Sequence, residues 1–174
     1  MGLSIAISGG IVIFSIIYAM MSFSTVVDDA TKISTSQTQM SNNLFSRLQT
    51  NISISSLHDN RGAGPATFKI NDTGNTVLWN YNSFDVIVTY QENATNNPIL
   101  TEILKYANTC SGLAAGQWCI LQIQNDNIHP GMLDPSEVAV INAQPSNPTL
   151  GGGIFTVEFG TDNGVTTSSS VKTT

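Results

Sequence analysis

The sequence predicts a mainly β fold preceded by one long N-terminal α-helix: a transmembrane helix and stem followed by an immunoglobulin-like antiparallel β-sandwich. Two observations carry this prediction. No charged side chain precedes Asp28, and from about residue 66 onward short runs rich in Val, Ile, Phe and Thr alternate with clusters of turn-forming residues. We therefore assign residues 1–50 to the helix and stem, and residues 51–174 to an extracellular sandwich domain.

The uncharged N-terminal run is long enough to cross a membrane. Leu3–Val27 would extend over roughly 37 Å at about 1.5 Å per residue, and a hydrocarbon core is about 30 Å thick. A secretory signal peptide carries a positive n-region, whereas no Lys or Arg precedes Asp28. We expect a retained membrane anchor. Lys32 and Arg47 follow the run and mildly favour the opposite orientation, but long domains are translocated largely regardless of charge.

Small residues recur every fourth position at the start of this helix. Gly2, Ala6 and Gly10 would share one face and allow a second helix to approach closely. The alternative is that small residues are simply common in membrane helices. The pattern makes this face a candidate for helix packing.

The helix is expected to continue beyond the membrane as a stem. Ile33, Met40, Leu44 and Leu48 fit one helical stripe, while the remaining positions are mostly Ser, Thr, Gln and Asn. Such a helix is marginal alone and needs a partner or its own domain to pack on. Turn formers at Ser56–Pro65 predict a loop where the pattern changes.

Beyond this loop the hydrophobic period changes to two. Five runs predict strands: ATFKI, FDVIVTY, WCILQI, EVAVINA and GIFTVEF. With the strands of the predicted hairpins, the total is about seven, which implies two packed sheets. INDTGNTVL predicts a hairpin, and Asn163-Gly164 predicts a turn before a polar last strand that is a candidate edge. Pro98–Asn108 fits either a strand or a short helix. Trp79 and Trp118 are predicted core residues.

Composition indicates an extracellular protein and excludes one class of partner. Six Lys and Arg against twelve Asp and Glu give a net charge of −6, so the chain lacks the basic field of a nucleic-acid-binding protein. Only 10% of residues are charged, which suits a surface of neutral polar groups. Asn51, Asn71 and Asn93 begin Asn-x-Ser/Thr sequons and are candidate N-glycosylation sites.

The two cysteines, Cys110 and Cys119, are close enough in sequence to close a small disulfide loop in an oxidising compartment. The alternative is two buried thiols. His58 and His129 lack the spacing to complete a zinc site with them. No nucleophile, base or carboxylate pair stands at the spacing of an active site, so we expect no catalysis and no cofactor, and the acidic segment near His129 lacks the pattern of a calcium loop.

The order of these segments resembles the archaeal flagellar protein F and G family of the archaellum. The resemblance rests on MGLSIAISGGIVIFSIIYAMMSFSTVVDDA, KINDTGNTVLWNYNSFDVIVTY, HPGMLDPSEVAVINA and FTVEFGTDNGVTTSSSV. It implies a non-enzymatic, membrane-anchored protein whose sandwich grips the surface-layer protein outside the cell, so that the motor has a fixed support. It also implies other archaellum components as partners, and a homo-oligomer. We expect the contact surface on sheet edges and on loops far from the membrane.

Archaellins, the subunits of the archaellum filament, are the nearest alternative. They have a similar helix-plus-sandwich plan, but their precursors carry a short basic leader, whereas this hydrophobic run begins two residues after Met1. The resemblance therefore favours the stator-like role over the filament. A membrane-tethered adhesion module unrelated to motility would use the same plan, and an enzyme would require titratable residues clustered at one end of the sandwich.

Overall fold

The computed structural model describes residues 2–174, except for the side chains of residues 2–6 and 24–26. One helix, α1, covers Gly2–Gln49. The chain forms two compact units that divide between Leu44 and Phe45, so the last turn of α1 belongs with the β domain. Within α1, Ile7–Gln49 contains an apolar stretch that is long enough to cross a membrane and has none of its surface buried.

Hydroxyl groups inside α1 are bonded to the helix itself. Ser15 Oγ donates to Ile11 O at 2.8 Å, and Ser22 Oγ donates to Tyr18 O at 2.9 Å. A polar group in hydrocarbon is costly unless it is hydrogen-bonded internally. These two serines are therefore compatible with a membrane segment.

The helix ends where its C-terminal turn meets the β domain. Thr50 N–H donates to Ser46 O at 3.1 Å, and Asn163 Nδ2, in the turn before the last strand, donates to Thr50 Oγ1 at 2.6 Å. Gly74 packs directly against the backbone of Gln49 and Asn51. Asn75 N–H donates to Gln49 O at 2.7 Å, so a loop of the domain caps an otherwise unpaired helical carbonyl.

Eight strands follow the helix. Their bounds are β1 Ile52–His58, β2 Ala66–Asp72, β3 Asp85–Gln91, β4 Ile99–Tyr106, β5 Gln117–Gln124, β6 Val138–Gln144, β7 Ile154–Gly160 and β8 Thr166–Lys172. The hydrogen-bonded order is β1-β2-β6-β5-β4-β3-β7-β8. The first and last strands of this order lie side by side, so the sandwich is nearly closed. The predicted fold class, a long helix followed by a β-sandwich, is confirmed.

The core forms where inward-facing side chains of both halves of the sandwich meet. Alternate residues of β2 and β3 are fully buried, among them Phe68, Val86 and Val88, as expected for strands with one face in the core. Trp118 is 0% exposed and packs edge-on against Phe159 with ring centroids 6.0 Å apart. Aromatic packing therefore joins β5 to β7 across the core.

Three details of the predicted fold need correction, and one alternative that the sequence leaves open is decided. The strand β1 extends to His58, into the predicted loop at Ser56–Pro65, because its residues pair with β2. INDTGNTVL forms no hairpin, since β2 pairs with β1 and β6 while Leu78 contributes only an isolated bridge to Leu133. Within Pro98–Asn108, the strand alternative is correct.

The third correction concerns strand direction. β4 and β5 run parallel and are paired through Lys105 with Gln117 and Tyr106 with Trp118. The sandwich is therefore not purely antiparallel. The predicted turn at Asn163-Gly164 joins β7 to β8, and Gly164 adopts a φ of 80°, the left-handed region that glycine accommodates.

Candidate functional site

The outward face of β4, β3 and β7 carries an exposed apolar surface, which we call the isoleucine face. Ile99, Ile103 and Ile154 are 69%, 66% and 64% exposed. Strand register places Ile103 opposite Ile87 and Ile99 opposite Gln91. A shallow groove of about 250 Å³ is lined by Ile99, Ile154 and their neighbours on the three strands. An apolar surface of this kind on a soluble domain is typical of a contact site.

A row of hydroxyl side chains crosses the middle of the isoleucine face. Thr101, Thr89, Thr156 and Ser170 lie opposite one another on four successive strands. The hydroxyls of Thr89 and Thr101 are 2.9 Å apart, and those of Thr156 and Ser170 are 2.8 Å apart. Because the hydroxyls pair with one another, the row provides an uncharged surface with few groups that must be desolvated when a partner binds.

The isoleucine face borders an open strand edge. β4 pairs with β5 only at Lys105 and Tyr106, so among the described residues the edge of Ile99–Leu104 has no ladder partner. Lys105 N–H donates across this edge to Gly116 O at 2.9 Å. Backbone N–H groups alternate between the two edges of a strand, so those of Ile103 and Thr101 point to the same free edge as that of Lys105. Such an edge can accept an added strand.

Glu102 fixes the loop that lies beside this edge. Its carboxylate accepts hydrogen bonds from Ser146 N–H at 2.8 Å and Tyr90 Oη at 2.9 Å, and also from Ser146 Oγ. Burial raises the pKa of Tyr90 to about 12, so the phenol remains a neutral donor. These contacts hold the segment after β6 against β4 while leaving the isoleucine face uncovered.

The last strand, which the sequence predicts as a candidate edge, is a terminal strand of the sheet order. β8 is at one end of the hydrogen-bonded order, but its free side lies next to β1. The open edge of β4 lies within Pro98–Asn108, a segment that the sequence alone does not identify as strand or helix. The spacing of Ile99, Thr101 and Ile103 is the alternating signal that marks this exposed face.

The cysteines lie at the connection between β4 and β5. Cys110 and Cys119 form a disulfide with Cα atoms 5.5 Å apart. Cys119 is fully buried in β5, whereas Cys110 lies in the loop. The bond therefore ties the loop to the strand that meets β4.

The three sequon asparagines differ in their surroundings. Asn51 and Asn93 are exposed, the first just after α1 and the second in the loop after β3. Asn71 is half-buried, and its Nδ2 donates to Ser55 Oγ at 2.9 Å and to Ser53 Oγ at 3.3 Å. N-glycosylation at any of the three remains a prediction.

The predicted helix-packing face lies partly outside the described side chains. Gly2 and Ala6 fall in the part of α1 whose side-chain environment is not described, while Gly10 is exposed with open space around its Cα. Packing through this face remains a prediction.

The two tryptophans have opposite environments. Trp118 is in the core as predicted, but the prediction for Trp79 is wrong, because this side chain is 63% exposed. Its neighbour Leu78 is the residue that enters the core, where it forms an isolated bridge with Leu133. Trp79 lies in the loop between β2 and β3, not in a strand.

Buried acidic residues at the ends of the sandwich serve as loop anchors. Gly74 N–H donates to Asp72 Oδ1 at 2.8 Å, and Asp134 N–H donates to Glu137 Oε2 at 3.0 Å. Asp134 Oδ1 is 2.7 Å from His129 Nδ1. Within the described part of the chain, no three His, Cys, Asp or Glu residues converge in a way that would hold a metal ion.

Comparison with known proteins yields matches in structure only. No protein-family model and no curated protein sequence matches the chain. The archaeal flagellum of Methanospirillum hungatei superimposes on 97% of this chain and 93% of its own, with a TM-score of 0.56 and 13% identity. The archaeal flagellin FlaB1 from Methanocaldococcus jannaschii covers 71% of this chain and 90% of its own, with a TM-score of 0.50 and 10% identity.

A third structure is the archaellum periplasmic stator protein FlaG from Sulfolobus acidocaldarius. It covers 70% of this chain and 99% of its own, with a TM-score of 0.47 and 19% identity. At the level of fold, the predicted resemblance to archaellum proteins is confirmed by the flagellum structure, which matches both the helix and the sandwich.

Proposed function

We propose that this chain is a non-enzymatic component of the archaellum, anchored in the membrane by α1, with its sandwich outside the cell. The observation that carries the proposal is the shared fold, which extends over nearly the whole chain and over nearly the whole subunit of the Methanospirillum hungatei flagellum. The absence of catalysis is part of the proposal. The exposed isoleucines of the sandwich are typical of a binding domain.

Within the archaellum, we favour a stator-like role in which the sandwich holds surface-layer protein. The distribution of polarity along α1 supports this role. The uncharged segment up to Val27 is about the length of helix that crosses a membrane once. Beyond Asp28 the helix consists mostly of Ser, Thr, Gln and Asn. A helix packed among several others in a filament core requires apolar residues on more than one side, whereas beyond Asp28 only one narrow stripe of α1, with Ile33, Met40 and Leu44, is apolar.

The isoleucine face and the open edge of β4 are the proposed binding surface. The central row of the face is uncharged, whereas register places Glu158 opposite Ile87 and Lys172 opposite Ile154 on the same face. A partner that covers the isoleucines must therefore leave these two charges in water or pair them. The adjoining edge offers backbone hydrogen bonds to the same partner. Surface-layer protein fits this role because a stator must be fixed to the cell envelope.

Binding to isolated surface-layer sheets tests this proposal. We expect full-length protein in proteoliposomes to cosediment with the sheets, and Ile103→Glu to weaken the affinity at least about tenfold, or about 1.4 kcal/mol, because it buries a charge at the contact. Gln122→Glu, at an exposed position on β5 in the other half of the sandwich, is the matched control and should bind normally. Equal binding by both variants, or no binding by the unmodified chain, would refute the proposed contact.

A filament subunit is the second candidate. It is favoured by the same whole-chain superposition, because the matched structure is itself a flagellum and the match includes α1. This alternative predicts that the purified chain assembles into long helical filaments with α1 in their core.

A further inference from the structure

The stem segment of α1, defined as Asp28–Leu44, carries its apolar residues on a single seam. All four occupy a or d positions of one heptad repeat: Ala30, Ile33, Met40 and Leu44. The fifth a or d position in the segment is Gln37. Ile33, Met40 and Leu44 are 59%, 66% and 48% exposed. An apolar stripe restricted to a and d is the pattern of a helix that packs against another helix.

Polar side chains off the seam form their contacts within the same helix. Thr31, Thr35 and Thr38 lie off the seam, and each donates its hydroxyl to the carbonyl four residues earlier at 2.8–2.9 Å. Lys32 forms its ion pair with Asp29 of the same helix at 3.8 Å. A helix so rich in Ser, Thr, Asn and Gln is marginal in isolation. The seam is therefore the surface through which a partner can stabilise the stem.

The seam matches a second copy of itself in parallel orientation. Copies anchored by the same end in one membrane are necessarily parallel. In this register Gln37 meets Gln37, and an amide can both donate to and accept from its counterpart. Asp29 occupies a g position and faces Ser34 of the second copy, so identical helices place no like charges opposite each other.

The same repeat extends in both directions from the stem segment. Towards the N-terminus its a and d positions include Gly9, Val12, Ile16, Ala19 and Phe23, all of them uncharged. In the other direction the next d position is Arg47, whose Nη2 donates to Gly164 O at 3.4 Å. The seam therefore ends where α1 contacts its own sandwich domain.

We propose that the stem segments of two copies of this chain pack as a parallel, in-register coiled coil through Ala30, Ile33, Gln37, Met40 and Leu44. This inference depends on α1 crossing the membrane, which is part of the proposed function, but not on the identity of the bound partner. The coiled coil stabilises a stem that is otherwise weakly helical and brings two sandwich domains to one site.

Cysteine cross-linking of the full-length chain in membranes tests the seam. Single substitutions at Ala30, Ile33, Gln37, Met40 and Leu44 are compared with Thr35→Cys and Asn42→Cys at the outward f positions. After mild oxidation and non-reducing electrophoresis, we expect several-fold more cross-linked dimer at seam positions, because a and d side chains of parallel helices lie close enough for a disulfide. The unsubstituted chain measures any contribution from Cys110 and Cys119.

A charge placed on the seam provides a second measurement. Met40→Asp should reduce cross-linking through Gln37→Cys several-fold, because it buries two like charges, whereas Asn42→Asp on the outward face should not change it. Equal cross-linking at seam and f positions, or none at any position, would overturn the coiled coil. Surface-layer binding is measured separately, so failure of the seam and failure of the proposed partner are distinguishable.

Discussion

Gly74 joins the helix to the sandwich through a close backbone contact. A Cβ at this position would overlap Gln49 O and lie 2.5 Å from Asn51 N. Because both obstacles are backbone atoms, we expect Gly74→Ala to reduce the free energy of unfolding by about 1–3 kcal/mol, the usual cost of overpacking. Urea denaturation followed by tryptophan fluorescence measures this loss.

Gly64→Ala is the control for this prediction. A Cβ added at Gly64 would have no atom within 4 Å, so the substitution should leave stability unchanged or slightly raised. If Gly74→Ala were as stable as Gly64→Ala, the close contact at the helix end would be incorrect.

Asp59 makes stability depend on pH. The residue is fully buried, and burial raises its pKa above the ordinary value of 3.8, although the hydrogen bond from Thr173 Oγ1 at 2.7 Å opposes this shift. A raised pKa means that the folded state favours the neutral carboxyl. Its contribution to stability is complete below pH 3.8 and is lost as the pH rises through the folded-state pKa.

Asp59→Asn should therefore flatten the pH dependence of unfolding. Urea midpoints measured from about pH 3 to about pH 7 should fall less with rising pH in the variant than in the unmodified chain, because the amide does not ionise. The exposed Asp162→Asn serves as the control and should retain the original slope. A slope unaltered by Asp59→Asn would contradict the pKa assigned to this carboxyl.

The sequons are distinguished by side-chain accessibility. Asn93 is exposed in a loop, whereas Asn71 lies within β2 and its amide donates to two serine hydroxyls of β1. We expect mass spectrometry of peptides from native protein to find more glycan on Asn93 than on Asn71, because the transferase requires an accessible amide in a surface segment. A glycan on Asn71 with Asn93 unmodified would show that this difference does not control modification.

At the scale of elements, the disulfide stabilises the connection between β4 and β5. Cys110 and Cys119 close a loop of sequence separation 9, for which loop-closure entropy predicts a stabilisation of about 2–3 kcal/mol. Replacing both residues with Ser should lower the free energy of unfolding by about this amount, measured by urea denaturation. If a reductant left the stability of the unmodified chain unchanged, the disulfide would not contribute to stability in solution.

An element can be predicted from sequence when residues close together in the chain determine its structure. The helix and the β7–β8 turn are specified by a continuous apolar run and by Asn163-Gly164, so sequence alone located them. Pro98–Asn108 remained undecided because Ile99 and Ile103 are four residues apart and fit a helix as well as a strand. Only pairing with β3 decides in favour of the strand, and with it reveals the isoleucine face.

Non-local pairing also explains the remaining errors. The Gly74 segment has the composition of a hairpin turn, but the backbone there caps the end of α1 instead. The sequence neighbours of Trp79 predict a core position for it, whereas Leu78 occupies the core position in that loop. In each case a contact distant in sequence outweighs a local pattern.

At the scale of the whole molecule, the chain combines one long helix with a nearly closed sandwich. The first 27 residues contain no charged side chain, and the domain carries the isoleucine face beside an open strand edge. The stem between them is polar except for one seam. In the proposed function, the helix holds the chain in a membrane and the sandwich binds a partner outside the cell.

Fractionation of archaeal cells that express the native chain tests this account most directly. After filaments are sheared off and purified, we expect the chain to remain with the membranes, with its sandwich domain accessible to protease in intact cells, because α1 holds it in the bilayer. If the chain were instead a main component of the sheared filaments, or if the sandwich were protected inside the cell, the account of a membrane-anchored extracellular protein would be contradicted.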